Sequence, residues 1–372
     1  MLTRVYIDNF LAFVNFEYRP APKQLILGGN GSGKSSFFDA LMAVHCFAIR
    51  GEKLDDIFMS NLRTRWLRKL EQTFEIEAEL NGHRYIYRLV LSADEKHAQV
   101  IVLAEEVFFE GKPIFEFQKG EVKLYNDQFE RTTVYPFDSR RSAFETINGS
   151  NGNKLLSGFK AWLAGLSYFR INPYAMGFQA KKAEPFPVYD LSNFAGWLAT
   201  IWYTDRMAFQ RISDSLQDAI SGFLGFRFEN FRADDGEIKG SYLCVDFHQE
   251  DGNRLSFDVR ELSDGQKCLV CLYTILHFVV EKGHTVIIDE PDNFISLREI
   301  QPWLRALSDV IEDGQGQVIL VSHHPELIDR WAPRNGVRFV RDGMGPIRVE
   351  KFHGDPDSIL TPSELVARGW ED

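Results

Sequence analysis

The stretch Gln24–Ile49, QLILGGNGSGKSSFFDALMAVHCFAI, decides the fold. Leu25, Ile26 and Leu27 read as a strand, and Ser36 to Ala48 as a helix with Phe37, Ala40, Leu41, Val44 and Ala48 on one face. Between them, Gly28-Gly29-Asn30-Gly31-Ser32-Gly33-Lys34-Ser35 completes the pattern G-x-x-x-x-G-K-[ST]. Glycines let backbone N–H groups fold round phosphate oxygens, and the start of a helix adds a favourable dipole. In that frame Lys34 reaches the β- and γ-phosphates and the Ser35 hydroxyl ligates Mg²⁺. A strand before and a helix after separate such a loop from a chance glycine-rich turn.

Outward from this loop the chain has the size and composition of a folded protein. Its 372 residues suffice for two domains, and 44% hydrophobic with 26% charged residues excludes disordered and collagen-like classes. No apolar run reaches the roughly 18 residues of a membrane-spanning helix, and MLTRVYIDNF lacks the layout of a secretion signal. Four cysteines cannot make a disulfide framework, so a cytoplasmic location without membrane association is the expectation. The net charge of −11 argues against a nucleic-acid coat, although a local basic groove would still leave DNA open as a partner. The 31 phenylalanines point to a bulky core.

Periodicity organises the rest. Residues 2–18 alternate as strands, and TFEIEAEL, RYIYRLVL, AQVIVLAEEVFF and EVKLY, divided by NG, SADEK and EGKP, read as an antiparallel meander. Residues 138–222 read as mostly helical, broken by NGSNGN and EPFP, with one long helix from about Asn193 to Phe223. SYLCVDF and RLSFDV form a hairpin across QEDGN. A helix over 266–282, the strand HTVIIDE, a helix near 297–312, the strand GQVILVS, a short helix and two strands follow, which argues for a partly parallel sheet covered by helices.

Three further stretches hold chemistry. Val286-Ile287-Ile288-Asp289-Glu290-Pro291-Asp292 is an apolar strand ending in carboxylates, which places Asp289 near the metal and Glu290 where it can polarise a water. Leu262-Ser263-Asp264-Gly265-Gln266-Lys267 begins a helix, where Ser263 reads as an N-cap in isolation. Val321-Ser322-His323-His324-Pro325 follows the strand QVIL.

Taken together, phosphate loop, LSGGQ-like signature, acidic strand and histidine resemble the ABC-type ATPases. The resemblance implies an α/β P-loop NTPase, an ATPase head with a mixed sheet, an antiparallel β-subdomain and a helical lobe. It implies lobe I over 1–135, a helical lobe II with the signature over 136–282, and completion of lobe I over 283–372. ATP and Mg²⁺ are the implied cofactors. Gly28, Asn30, Gly31, Ser32, Gly33, Lys34, Ser35 and Ser36 would bind nucleotide, with Ser35 and Asp289 on the metal and Lys34, Glu290 and His323 catalytic. Ser263 and Gly265 would contact the γ-phosphate held by a second subunit, so that two chains sandwich two ATP molecules as a homodimer. His323 is the implied γ-phosphate sensor in preference to His324. Asp264 departs from the usual glycine, and Ser296 stands where many transporters have Asp. The lid glutamine is open among Gln72, Gln99, Gln118, Gln128 and Gln179.

Leu262 lies 227 positions after Ser35, about twice the interval of a transporter subunit, and no heptad run fills it. Asp8-Asn9-Phe10 and the loop resemble the RecF and SMC head branch, and DEPDN with VSHHPEL resembles OLD-type ATPases, many of them anti-phage. The 49 residues after His323 are too few for a Toprim nuclease, so the expectation is a nucleotide-gated switch acting on a separate effector. The alternative is a RecF-like DNA-binding ATPase in repair. Arg63, Arg65, Arg68 and Lys69 around Trp66 read as a solvated helix face or a phosphate patch, and Cys268 and Cys271 as core rather than half a zinc site.

Overall fold

The computed structural model describes residues 1–94, 99–149, 152–232, 237–249, 252–353 and 360–369. Parts of three expected breaks lie outside them: Glu95–Lys96 of SADEK, Ser150–Asn151 of NGSNGN and Glu250–Asp251 of QEDGN. The chain divides into two compact units: Met1–Leu166 with Trp331–Ile359 and Arg368–Asp372, and Ser167–Arg330 with Leu360–Ala367.

The first unit opens with β1 (Leu2–Asp8), β2 (Phe16–Tyr18), β3 (Lys23–Leu27), α1 (Lys34–Arg50) and the single turn α2 (Leu54–Ile57). The meander follows as β4 (Glu71–Leu80), β5 (His83–Asp94), β6 (Gln99–Phe109), β7 (Lys112–Gln118), β8 (Glu121–Tyr125) and β9 (Arg131–Pro136), then α3 (Lys154–Gly165). Its sheet runs β2-β1-β4-β5-β6-β7-β8-β9, antiparallel throughout. β7 and β9 were not expected. Lys112 and Pro113 look like turn residues in sequence, yet they already pair with Phe109 and Phe108.

The second unit holds β10 (Ser167–Phe169), β11 (Gln179–Ala180), α4 (Phe194–Thr204), α5 (Arg206–Ala219), β12 (Phe223–Arg232), β13 (Ile238–His248) and β14 (Arg254–Asp258). It continues with α6 (Asp264–Ile275), which runs into a π-helical turn at Leu276–Val280, then β15 (Thr285–Asp289), α7 (Leu297–Glu312), β16 (Gln317–Val321) and the start of α8 (Pro325–Asn335). After α8, β17 (Gly336–Arg341) and β18 (Ile347–Lys351) belong to the first unit, and α9 (Pro362–Arg368) closes the described chain.

The long helix expected over 193–223 is two helices. Asp205 stops α4 with a non-helical backbone (φ −144°), and its carboxylate accepts from Ala208 N at 2.9 Å to cap α5. No glycine or proline marks this break; an Asp that caps its own successor makes it. Phe223 instead starts β12, which pairs with β13.

Parallel strands order the chemistry. In the first unit β17 runs parallel to β3, pairing Val337 with Ile26, and β18 lies antiparallel on β17. In the second unit β10, β15 and β16 are parallel, with Phe169 opposite Ile288 and Asp289 opposite Val321. Behind β3, the apolar face of α1 is buried as expected, and Phe37 meets Phe16, Tyr18 and Phe339 at ring-centroid distances of 5.4–5.8 Å. Edge-to-face aromatic packing of this kind puts several phenylalanines into one core. Among the described residues no helix is long and apolar enough to cross a membrane.

Candidate functional site

In the first unit the loop joins buried β3 to α1 through backbone that only glycine adopts cheaply. Gly28, Gly31 and Gly33 have φ of +144°, +80° and +97°. A Cβ on Gly28 would stand 2.5 Å from the Phe339 carbonyl oxygen, and one on Gly33 would stand 2.1 Å from Ile347 Cδ1. At Gly29 and Gly31 the same Cβ would meet nothing within 4 Å, so the loop has an open side. Lys34 Nζ donates to the carbonyls of Gly28 and Gly29, drawing its ammonium over the loop. Asn30 and Ser35 are exposed, Ser36 is half-buried, and Ser32 is buried with its Oγ making no hydrogen bond.

These features fit a nucleotide phosphate. Gly33 occupies the N-cap with no side-chain cap, and the first turn of α1 contains no acidic residue, so its N–H groups and dipole are available to an anion. The orphan Ser32 hydroxyl and the Lys34 ammonium supply further donors. Mg²⁺ keeps several waters and takes one or two protein oxygens, which Ser35 and an acidic residue can provide. Among the described residues no cluster of three or more His, Cys, Asp or Glu offers an all-protein metal cage.

In the second unit β15 is buried along its whole length and delivers Asp289 at its carboxyl end, only 7% exposed. Tyr168 Oη donates to Asp289 Oδ2 at 3.3 Å, and Arg170 Nε lies 4.0 Å from the same oxygen. Glu290 then turns the chain with φ +51°, a conformation costly for a residue with a Cβ. Its N–H is held by the Val321 carbonyl at 2.8 Å, and Asn293 Nδ2 donates to its Oε2 at 2.6 Å. Ser322 Oγ donates to Asp292 Oδ1 at 2.6 Å, and burial pushes the Asp292 carboxyl above its ordinary range.

The two histidines differ. His324 Nδ1 accepts from Glu326 N at 3.2 Å, and its own N–H donates to Ser322 Oγ, so it caps the start of α8. His323 is exposed and makes no side-chain hydrogen bond among the described residues.

At the signature, Ser263 is exposed and caps α6. Its Oγ accepts from Gln266 N at 3.2 Å, while Gln266 Oε1 accepts from Ser263 N at 3.0 Å. A Cβ on Gly265 would stand 2.8 Å from the Phe294 carbonyl oxygen, and Phe294 itself has φ +69°. The segment after Glu290 therefore packs on the signature glycine. Ser296 caps α7 in a capping box with Glu299. Cys268 and Cys271 are buried in α6, and burial lifts the Cys268 thiol to about 12.

Weaker sequence features resolve as follows. Residues 63–70 form no helix, which corrects the solvated-helix reading of the basic cluster; Lys69 pairs with Asp8 at 2.7 Å, and Trp66 is exposed. Asn9 is buried, donating to the carbonyls of Lys69 and Glu71, and Gln72 donates to the Asn9 carbonyl at 3.1 Å. Gln118 donates to Glu106, whereas Gln99, Gln128 and Gln179 are exposed. The signal missed in the sequence was Tyr168, on a three-residue strand too short to show alternation, and Arg170 directly after it.

Comparison with known proteins follows the same lines. A family model described as "AAA domain, putative AbiEii toxin, Type IV TA system" matches residues 25–329. The ATP-binding cassette sub-family F member 2 of Bos taurus is 40% identical over 74 residues, and ABC transporter F family member 4 of Arabidopsis thaliana is 37% identical over 78. These stretches are 20% and 21% of this chain, and they span about a tenth of the relatives' own length. Among solved structures, an SmcHead bound to the C-winged helix domain of ScpA is 12% identical with a TM-score of 0.52, covering 94% of this chain and 96% of that one. The SMC head domain from Thermotoga maritima is 14% identical, with a TM-score of 0.48 over 95% and 99% of the two chains.

Proposed function

Since the chain belongs to this family of AAA domains and is an ATP-binding, ABC-type P-loop ATPase, we propose that it works as a nucleotide-gated dimerising switch. The carrying observation is the loop from Gly28 to Ser35, whose positive-φ glycines, uncapped helix start and overlying Lys34 suit a polyphosphate. Lys34, Ser32, Ser36 and the backbone from Gly28 to Gly33 would bind the phosphates, Asn30 would flank them, and Ser35 and Asp289 are the residues that would hold Mg²⁺. Bound Mg²⁺ would add positive charge against the phosphate oxygens. Glu290, its carboxylate steadied by Asn293, orients the attacking water and accepts its proton. His323 has the unengaged ring a γ-phosphate sensor needs.

Ser263 and Gly265, at the start of α6, complete the site of a second copy of this chain. ATP then closes a homodimer with two nucleotides between the subunits, and slow hydrolysis opens it. The division into 1–135, 136–282 and 283–372 is a functional one on this reading. The family's description as toxin and toxin–antitoxin supports a place in bacterial anti-phage defence, with a separate nuclease or toxin as effector. One observation favours a second reading, a RecF-like DNA-binding ATPase: Trp66, 45% exposed, stands between Arg65 and Arg68.

A pull-down from the native host with tagged Glu290→Gln and Lys34→Ala separates the two. An effector protein retained only by Glu290→Gln supports the switch. Nucleic acid alone, lost as salt rises, supports the DNA-binding reading and overturns the effector.

A further inference from the structure

We propose that Asp292 and Ser322 are positioning residues for ATP hydrolysis. The hydrogen bond between them ties the turn that carries Glu290 to the turn that carries His323, so base and sensor are set as one piece. The inference deepens the ATPase reading and rests on its assignment of Glu290 as the base.

All of these residues belong to the second unit. Parallel pairing sets Asp289 opposite Val321, so the chain leaves β15 and β16 side by side at their carboxyl ends, the edge at which sites of parallel sheets form. Glu290 follows one strand, and Ser322 and His323 follow the other. From Glu290 the backbone turns sharply. Asn293 N donates to the Glu290 carbonyl at 3.2 Å and Ile295 N to the Asp292 carbonyl at 3.2 Å. Left-handed backbone stands on both sides of Asp292, at Glu290 (φ +51°) and Phe294 (φ +69°). Such residues persist only where surrounding contacts hold them. Two contacts come from the neighbouring chain: the Val321 carbonyl accepts from Glu290 N at 2.8 Å, and Ser322 Oγ donates to Asp292 Oδ1 at 2.6 Å.

The second contact has a fixed direction. A serine hydroxyl has one proton to give. Ser322 Oγ accepts from His324 N at 2.9 Å and gives that proton to Asp292. Ser322 is buried and Asp292 half-buried, a setting that strengthens such a bond. The cap on the start of α8 is the ring of His324, so the Ser322 proton serves no helix there. His323 lies between the two residues this bond holds, and Asp292 lies between Glu290 and the Asn293 amide that steadies its carboxylate. Asp292 and Ser322 act through these neighbours, and neither is assigned a contact with nucleotide.

Steady-state ATP turnover of the full chain, measured beside thermal melting, tests this. Ser322→Ala and Asp292→Ala should each lower kcat about tenfold or more while KM for ATP stays within about twofold, because a displaced base is felt in the transition state. Asp292→Asn keeps an acceptor oxygen and should remain within about threefold of wild-type kcat. Asp292→Leu has the shape of Asn without the acceptor, and it repeats the test should Asp292→Ala lower the melting temperature. The double Ala variant should be no slower than the slower single one, since both remove the same bond. Losses that multiply in the double variant, or a lowered melting temperature with wild-type kcat, overturn the positioning role. Wild-type kcat in both Ala variants beside an inactive Glu290→Gln overturns that role alone. A Glu290→Gln chain that turns over ATP like wild type overturns the assignment of the base and this inference with it.

Discussion

The phosphate loop and the signature turn both require glycine, for different physical reasons. At Gly28 and Gly33 the backbone has positive φ and the neighbours also crowd the α-carbon. At Gly265 the backbone is helical, and only the Phe294 carbonyl, 2.8 Å from where a Cβ would stand, excludes a side chain. The first requirement is local and so can be read from eight consecutive residues. The second is tertiary, set by a turn on another element whose own backbone is left-handed. A motif read as a binding element is here also a packing element.

The largest effect should follow from breaking the local case. Gly28→Ala meets a backbone oxygen that cannot rotate away and adopts an unfavourable φ, so we expect a loss of about 3–4 kcal/mol in urea unfolding, with nucleotide binding lost. An unchanged midpoint would show that the loop relaxes freely.

Next comes acid sensitivity, which separates the helices behind the two motifs. α1 buries His45, whose pKa falls to about 4, chiefly through desolvation and secondarily through Arg50, with the Ala164 backbone opposing outside hydrogen-bond geometry. The folded pKa lies below the ordinary value of 6.5, so the unfolded chain binds more protons between the two. Stability is complete above about 6.5 and is lost as pH falls towards 4, by on the order of 3 kcal/mol for this group. His45→Leu should flatten that part of the profile, leaving the slope from His277 and His284, which burial also depresses. α6 instead carries Cys268 and Cys271, whose thiols burial pushes up and keeps protonated. A His45→Leu profile identical to wild type would contradict this assignment.

At the signature the expected effects are smaller. Gly265→Ala should cost about 2 kcal/mol, because the Phe294 turn must shift. Ser263→Ala should cost about 1 kcal/mol through the lost cap, while Ser263→Asn keeps the cap and the stability. If Ser263→Asn nonetheless lowers ATP turnover tenfold, the hydroxyl acts on nucleotide as well as on the helix. Full turnover in Ser263→Asn would leave the residue a cap.

The same contrast explains what was legible beforehand. β3, the loop and α1 follow from periodicity and glycine spacing, and Asp289–Glu290 from an apolar run ending in acids. What escaped depended on partners distant in sequence. β10 is three residues long and exists because it pairs with β15; β7 begins in residues that look like a turn; and the break at Asp205 needs the capping geometry of Ala208 to be seen.

The most direct measurement is the solution mass of Glu290→Gln by light scattering at saturating MgATP and without nucleotide. The switch predicts twice the mass of the single chain with MgATP and the single-chain mass without it. A Glu290→Gln chain that binds ATP yet remains a monomer would contradict the account.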